Sequence, residues 1–323
     1  MICLCCGKTI KESEPSDHGW HRSCIRRFFH TKELPSIEIT KEELENLANN
    51  AVQKGFTVPG VQKKLSLHLS IDGSARLTII DYPTGYILKP QTEDFEHLPE
   101  AEDLVMRMAE IAGIATVPHA LMRITVQDNA YAYITKRIDR EIKNTAVRIY
   151  AMEDFCQLAN RMTSDKYRGS YELCARLITR YSTRPGLDIT ELYYRILFLF
   201  VSGNSDMHLK NFSLIENAPG SRIYALSPAY DLLPVNLVMP EDPEELALTL
   251  NGKKRNLHKN DFLSFAASCG ISELTAKRMM DKILSFREPF FQACKNSYLP
   301  SDMIEGMIRL IEDRMERLGA VAN

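Results

Sequence analysis

An α+β fold, with a small strand-rich lobe followed by a larger helical one, is the reading this sequence of 323 residues supports. Three observations carry it. Apolar and polar residues alternate in short runs before residue 140, apolar residues recur at helical spacing from Glu153 onward, and a Cys/His-rich segment precedes both. The length suffices for two lobes, and a hydrophobic fraction of 45% supports a sizeable core. The expected boundaries are 1–36 for a zinc-knuckle-like segment, 37–140 for the strand-rich lobe and 141–323 for the helical lobe.

In the first segment Cys3 and Cys6 are followed by His21 and Cys24, two chelating pairs whose spacing suits a tetrahedral structural Zn2+. Cys5 and His18 are spare candidates. Zinc would supply folding energy that a segment holding Trp20 and few other large apolar residues cannot draw from a core. Thr40-Lys-Glu-Glu43 has the capping-box pattern and predicts a helix to about Asn50. Leu65, Leu67, Leu69 and Ile71 alternate with polar residues, and Leu77–Ile80 and Tyr86–Leu88 continue in the same style, predicting a small antiparallel sheet. Pro99–Ala112 reads as a helix on that sheet, and Ala120–Val126 and Ala130–Thr135 as returning strands.

In the helical lobe, Asp188-Ile-Thr-Glu191 is expected to cap an apolar helix reaching Val201. Asn211–Ile215 and Arg222–Leu226 flank a Pro219-Gly220 turn and read as a hairpin. Leu274–Phe286 and Met303–Leu318 are further helices. The remaining cysteines, Cys156, Cys174, Cys269 and Cys294, stand singly in helical patterns, as small buried hydrophobes do.

A net charge of -2 argues against broad electrostatic capture of nucleic acid or an anionic membrane. No charged leader with an apolar stretch opens the chain, and Ile196–Val201 is far too short to span a bilayer, so a cytoplasmic protein is expected.

The chemistry concentrates in Ser202–Ile215, SGNSDMHLKNFSLI, where an apolar helix gives way to an Asp, a His, a Lys and an Asn. Asp206 and Asn211 have the D-x-x-x-x-N spacing that sets a base and a magnesium ligand on one loop in phosphoryl transfer. Asp231, in SPAYDLLP, is a second isolated acid. Lys89 ends an apolar strand, where a solvated lysine would gain little, and suits contact with the α- and β-phosphates. Glu102, in the next helix, is a matching partner, with Glu100 and Asp103 close by.

Seven motifs in order, GVQKKLSL, YILKP, EAEDLVMRMA, YITKRIDR, EDFCQLA, SGNSDMHLKNFSLI and SPAYDLLP, resemble the HipA family of serine/threonine kinases, and its short, HipT-type members in particular. The resemblance covers about Phe56 to Leu318. It implies a two-lobed, protein-kinase-like fold that transfers the ATP γ-phosphate to a protein Ser or Thr, with Mg2+ as cofactor. It favours Glu102 as the partner of Lys89 and makes Asp206 the group facing the acceptor hydroxyl. Asn211 and Asp231 become magnesium ligands, and His208 supports the loop or touches phosphate. Thr57, Val58, Gly60, Val61, Gln62, Lys63 and Lys64 would form the phosphate loop, with Gly60 letting backbone amides approach the anion. Adenine would hang on backbone groups near Thr135, Lys136 and Ile138, and the ribose near Asp139, which is equally placed to pair with Arg137 or Arg140.

The resembled kinases autophosphorylate serines just before that Gly, and Thr57 is the acceptor at the matched positions here. The implied role is the toxin of a toxin–antitoxin module acting on a protein such as an aminoacyl-tRNA synthetase. A helix-turn-helix antitoxin and a separate small protein equivalent to the family's N-terminal subdomain are the expected partners, with neither membrane nor direct nucleic-acid contact. A catalytically silent nucleotide-binding scaffold, or a kinase working outside such a module, is the alternative.

Overall fold

A computed structural model describes residues 1–38, 64–70, 74–79, 84–124, 130–143 and 146–319. The expected helix from Thr40 and the phosphate-loop residues Thr57–Lys63 lie outside these. The chain forms two compact units: Met1–Asp103 with Val117–Arg148, and Leu104–Thr116 with Ile149–Asn323.

The first unit opens with a hairpin of β1 (Ser16–Asp17) and β2 (Trp20–His21), followed by α1 (Arg22–Phe29). His30, with φ of 62°, ends that helix and returns its N–H to the Arg26 carbonyl at 3.0 Å. Trp20, Phe28, Phe29 and Tyr86 stack with ring centroids 4.8 to 6.0 Å apart. The buried Trp20 indole N–H donates to the Leu121 carbonyl (3.2 Å), and the Leu121 N–H donates to the Leu4 carbonyl (3.0 Å). A buried indole needs such an acceptor, so these bonds orient the segment on the sheet beside it.

That sheet has six strands: β3 (Ser36–Glu38), β4 (Leu65–Ser70), β5 (Arg76–Ile79), β6 (Tyr86–Lys89), β7 (His119–Ile124) and β8 (Ala130–Lys136). Their order is β3-β5-β4-β6-β8-β7. In β4, Leu65 and Leu67 are buried while Ser66 is exposed, the alternation of a sheet with one covered face. The pairing brings Leu65 opposite Leu88, Leu88 opposite Ile134 and Ile134 opposite Ala120, a continuous apolar row. One expectation is corrected. The sheet is mixed rather than antiparallel, because β3 pairs parallel to β5, Ser36 opposite Arg76. Three residues are too short a run to show alternation.

Helix α2 (Leu98–Ile111) runs from the first unit into the second, with Ala101, Leu104, Val105 and Met108 buried. A two-stranded ribbon of β9 (Arg140–Lys143) and β10 (Ala146–Ile149) follows the sheet in sequence.

The second unit holds a three-stranded antiparallel sheet, β11 (Met152–Asp154), β12 (Ser213–Glu216) and β13 (Tyr224–Leu226). Its helices are α3 (Phe155–Leu158), α4 (Tyr171–Tyr181), α5 (Pro185–Val201), α6 (Val235–Val238), α7 (Lys259–Ser268), α8 (Glu273–Leu284), α9 (Arg287–Lys295) and α10 (Ser301–Gly319). From Leu192 to Val201 every residue of α5 is buried, including Arg195, whose guanidinium donates to the Ser227 carbonyl at 2.9 Å and pairs with Glu191. The expected cap at Asp188 is not one. Pro185 starts the helix a turn earlier, and the buried Asp188 carboxylate accepts from the Ser182 hydroxyl (2.6 Å) and the Leu226 N–H (2.9 Å). No helix among the described residues is long and apolar enough to cross a membrane.

Candidate active site

The Ser202–Ile215 segment leaves α5 through a glycine at which any side chain would be strained. Gly203 has φ of 67°, and a Cβ there would stand 2.5 Å from Leu310 Cδ2. Backbone and side-chain bonds then fold the loop onto itself. The Asn204 side-chain oxygen accepts from the Asp206 N–H (3.1 Å), the His208 N–H donates to the Asp206 carbonyl (2.8 Å), and so does the Asn211 side-chain amide (3.1 Å). Since a carbonyl only accepts, this bond commits the Asn211 nitrogen and leaves Oδ1 as the atom suited to a cation. The half-buried Asp206 carboxylate accepts a hydrogen bond from the Tyr167 hydroxyl.

Neighbouring elements hold the loop from outside. The Leu209 N–H donates to the Lys166 carbonyl (3.2 Å), and the Tyr171 hydroxyl to the Met207 carbonyl (3.3 Å). Lys210 pairs with Asp154 at 2.9 Å, and Asp154 also caps α3 through a capping box with Gln157. His208 is buried, its ring meeting Tyr167 edge-on with centroids 4.9 Å apart.

Asp231 belongs to the same neighbourhood. It adopts φ of 55°, a conformation that costs energy in a non-glycine residue and is held by its surroundings. The Tyr230 hydroxyl before it bonds Ser213 Oγ (2.6 Å) and the Lys210 carbonyl (3.2 Å), which ties this segment to the loop. Asn211 Oδ1 and the Asp231 carboxylate are hard oxygen atoms of the kind that suits Mg2+.

In the first unit Lys89 is 1% exposed and pairs with Glu102, which is fully buried. Its ammonium also lies 5.1 Å from the Tyr133 ring centroid. The neighbouring carboxylates go elsewhere: Glu100 to His97 and Asp103 to His119, each at 3.1 Å. Burial raises the Glu100 carboxyl above its ordinary value.

Asp139 pairs with both candidates, accepting from Arg137 (2.7 Å) and Arg140 (2.8 Å). Burial opposes ionisation of Asp139, but the two guanidinium groups outweigh it and hold the carboxyl well below its usual range. Thr135 and Lys136 lie within β8, opposite Ile87 and Tyr86, and the Lys136 and Arg137 amides donate to Pro118 and Gly85 at 2.9 Å. Ile138 is half-buried and Lys64 is exposed just before β4. Thr57, Val58, Gly60, Val61, Gln62 and Lys63 fall outside the described residues.

The Cys/His segment converges on one point. One ligand atom from each of Cys3, Cys6, His21 and Cys24 lies within 4.8 Å of the others. His21 directs Nδ1 at the Cys6 and Cys24 sulfurs (3.4 and 3.9 Å), while Nε2 faces Glu14 (3.4 Å). This is the order in which a metal-binding imidazole is backed by a carboxylate. Burial, foremost, pushes the Cys3 thiol up to about 11, a pressure that a divalent cation would reverse. The four donors fit Zn2+. Spacing had marked them, but not Glu14, Tyr167, Asp154 or Tyr230, whose roles depend on contacts across 7 to 56 residues.

Comparisons with known proteins bear on the family and the fold. A Haemophilus influenzae protein named "Putative kinase" is 22% identical over 98% of this chain and 97% of its own length. "Putative kinase Y4dM" of Sinorhizobium fredii is 32% identical over 68% of this chain and 54% of itself, so the chain spans about half of that relative. Among solved structures, HipA of Shewanella oneidensis, in its complex with HipB and operator DNA, superimposes with a TM-score of 0.66 at 20% identity, over 81% of this chain and 65% of HipA. The Helicobacter pylori proinflammatory kinase CtkA gives 0.54 at 14%, over 79% of this chain and 93% of CtkA. The fold is that of these kinases. Residues 56–288 match the HipA-like C-terminal domain, and the chain belongs to that family.

Proposed function

We propose that the protein is an ATP- and Mg2+-dependent serine/threonine protein kinase and the toxin of a toxin–antitoxin module. The observation that carries the reading is the Asp206–Asn211 loop, closed on itself by the Asn211 amide, with the Asp231 segment tied to it through Tyr230. Bound Mg2+ would neutralise charge on the triphosphate. Asn211 Oδ1 and the Asp231 carboxylate would hold the ion. Asp206 would orient the acceptor hydroxyl and take its proton, and Lys89, steadied by Glu102, would meet the α- and β-phosphates.

Thr57, Val58, Gly60, Val61, Gln62, Lys63 and Lys64 would cover the phosphates, while Thr135, Lys136, Ile138 and Asp139 would flank the nucleoside. Phosphate on Thr57 would repel ATP by adding nearly two negative charges. Zn2+ at Cys3, Cys6, His21 and Cys24 would be structural, with four protein ligands and no open position. A helix-turn-helix antitoxin is the expected partner, supported by the HipB complex of the Shewanella protein. The substrate would be a cytoplasmic protein such as an aminoacyl-tRNA synthetase.

The test is labelling of a host lysate with γ-labelled ATP by the wild type and by Asp206→Ala. A labelled Ser or Thr in one protein, absent with the variant, is expected. Blank lanes with both would sink the kinase assignment. Thr57→Ala should lower self-labelling; unchanged incorporation would remove Thr57 from the scheme.

A further inference from the structure

We propose that Tyr167 is a positioning residue for phosphoryl transfer, its phenol holding the Asp206 carboxylate in the orientation from which that group meets the acceptor hydroxyl. The inference rests on the kinase reading and adds a residue from outside the Ser202–Ile215 loop.

Tyr167 follows a turn of 3-10 helix, Thr163–Asp165, and lies 39 residues before Asp206 in sequence. Its hydroxyl donates to Asp206 Oδ1. Burial first, and the Asp206 charge second, push the phenol far above its ordinary value. It therefore stays protonated, and the bond is the charge-assisted kind, stronger than one between neutral groups. An ionised carboxylate has acceptor sites on both oxygens, so one phenol fixes its plane without exhausting its capacity.

The ring is itself fixed. His208 meets it edge-on at 80° with centroids 4.9 Å apart, and the Lys166 ammonium lies 4.9 Å from its centroid. The Lys166 carbonyl binds the Leu209 N–H, so the segment carrying Tyr167 is joined to the loop beyond Asp206. Other charged and titratable groups acting here include Tyr171, which bonds Met207, and Asp242 and Glu244, of which Asp242 accepts from Ser205 at 2.6 Å. A phenylalanine would keep both ring contacts and lose the donor alone. That separates positioning from packing.

The experiment follows Mg-ATP turnover by the full chain, counted as phosphate released plus phosphate transferred to protein, for wild type, Tyr167→Phe and the exposed neighbour Arg168→Ala. Melting temperatures are recorded alongside. Losing a hydrogen bond to a charged group should lower kcat about 10- to 100-fold in Tyr167→Phe, with KM for ATP within about 2-fold of wild type. Because the lost bond acts on the carboxylate and not on the nucleotide, the loss should appear in kcat and not in KM for ATP. Arg168→Ala should match wild type. Unchanged kcat in Tyr167→Phe would overturn the inference while leaving the kinase reading intact, and so would faster turnover, which would mark the phenol as a block. An inert wild type would fail the kinase reading itself, and the positioning role with it.

Discussion

The Asn211 side-chain amide donates to the main-chain oxygen of Asp206 at 3.1 Å, so the two residues that five-residue spacing singles out are also physically coupled. Any displacement of one moves the other. Asn211→Asp would set a carboxylate against that carbonyl, with no donor to bridge them. We expect Asn211→Asp to lose ATP turnover at least as severely as Asn211→Ala, although aspartate is the better magnesium ligand. Turnover against Mg2+ concentration checks this; an Asp variant as active as wild type would refute the coupling.

Substitutions at Asp231 separate folding from the proposed metal binding. Its φ of 55° is tolerated by Asn but strained by about 1 kcal/mol for Ala. Asp231→Asn should therefore melt close to wild type while requiring at least ~10-fold more Mg2+ for half-maximal turnover, as loss of an anionic ligand demands. Asp231→Ala should lose both stability and turnover.

Of the acids on α2, Glu102 should matter most to stability. Glu102→Ala would leave Lys89, 1% exposed, as a buried charge without its carboxylate, at a cost of about 3–5 kcal/mol. Glu100→Ala should cost less, because its partner His97 has a side chain 40% exposed. Denaturant melts of the two variants test the ranking.

The zinc proposal has an internal reporter. Trp20 is the single tryptophan of the sequence and is fully buried beside His21. Elemental analysis should find one zinc per chain, and a strong chelator should move the tryptophan emission to longer wavelength. Zinc-free protein with an unshifted spectrum would rule the site out.

Acid should loosen the second unit through Glu245. Burial raises its carboxyl, but Arg317 (2.7 Å), the Leu257 N–H (2.9 Å) and Arg314 (3.1 Å) together hold it below the ordinary value of 4.5. A depressed folded value means its contribution is complete above pH 4.5 and lost as pH falls below that. Between about pH 5 and 3 the wild-type melting temperature should fall more than that of Glu245→Gln. Parallel curves would contradict the assignment.

Much of this was legible because local pattern and tertiary role coincide. Leu65 and Leu67 alternate with polar residues and form a strand, and Lys89 stands out because it ends an apolar one. Where several residues satisfy the same pattern, spacing alone cannot choose. Glu100, Glu102 and Asp103 are all buried on α2; the family resemblance favours Glu102 for Lys89, and the fold adds His97 and His119 as the partners of the other two. Local signals also mislead when a stronger one lies nearby: Asp188 resembles a cap, yet Pro185 begins the helix and frees that carboxylate for Ser182 and Leu226. Tyr167 could not be found at all, since nothing near it in sequence mentions Asp206.

The bonds from Leu4 and Trp20 to Leu121 have a meaning beyond docking. Among the described residues strand β7 is terminal in its sheet, and the outward N–H and C=O of a terminal strand invite pairing with another molecule. At Leu121 both groups are already taken, one by Leu4 and one by Trp20. The amino-terminal segment thus covers that edge at Leu121. Stripping the proposed zinc would then endanger solubility as directly as stability, by unmasking a strand that can recruit copies of itself.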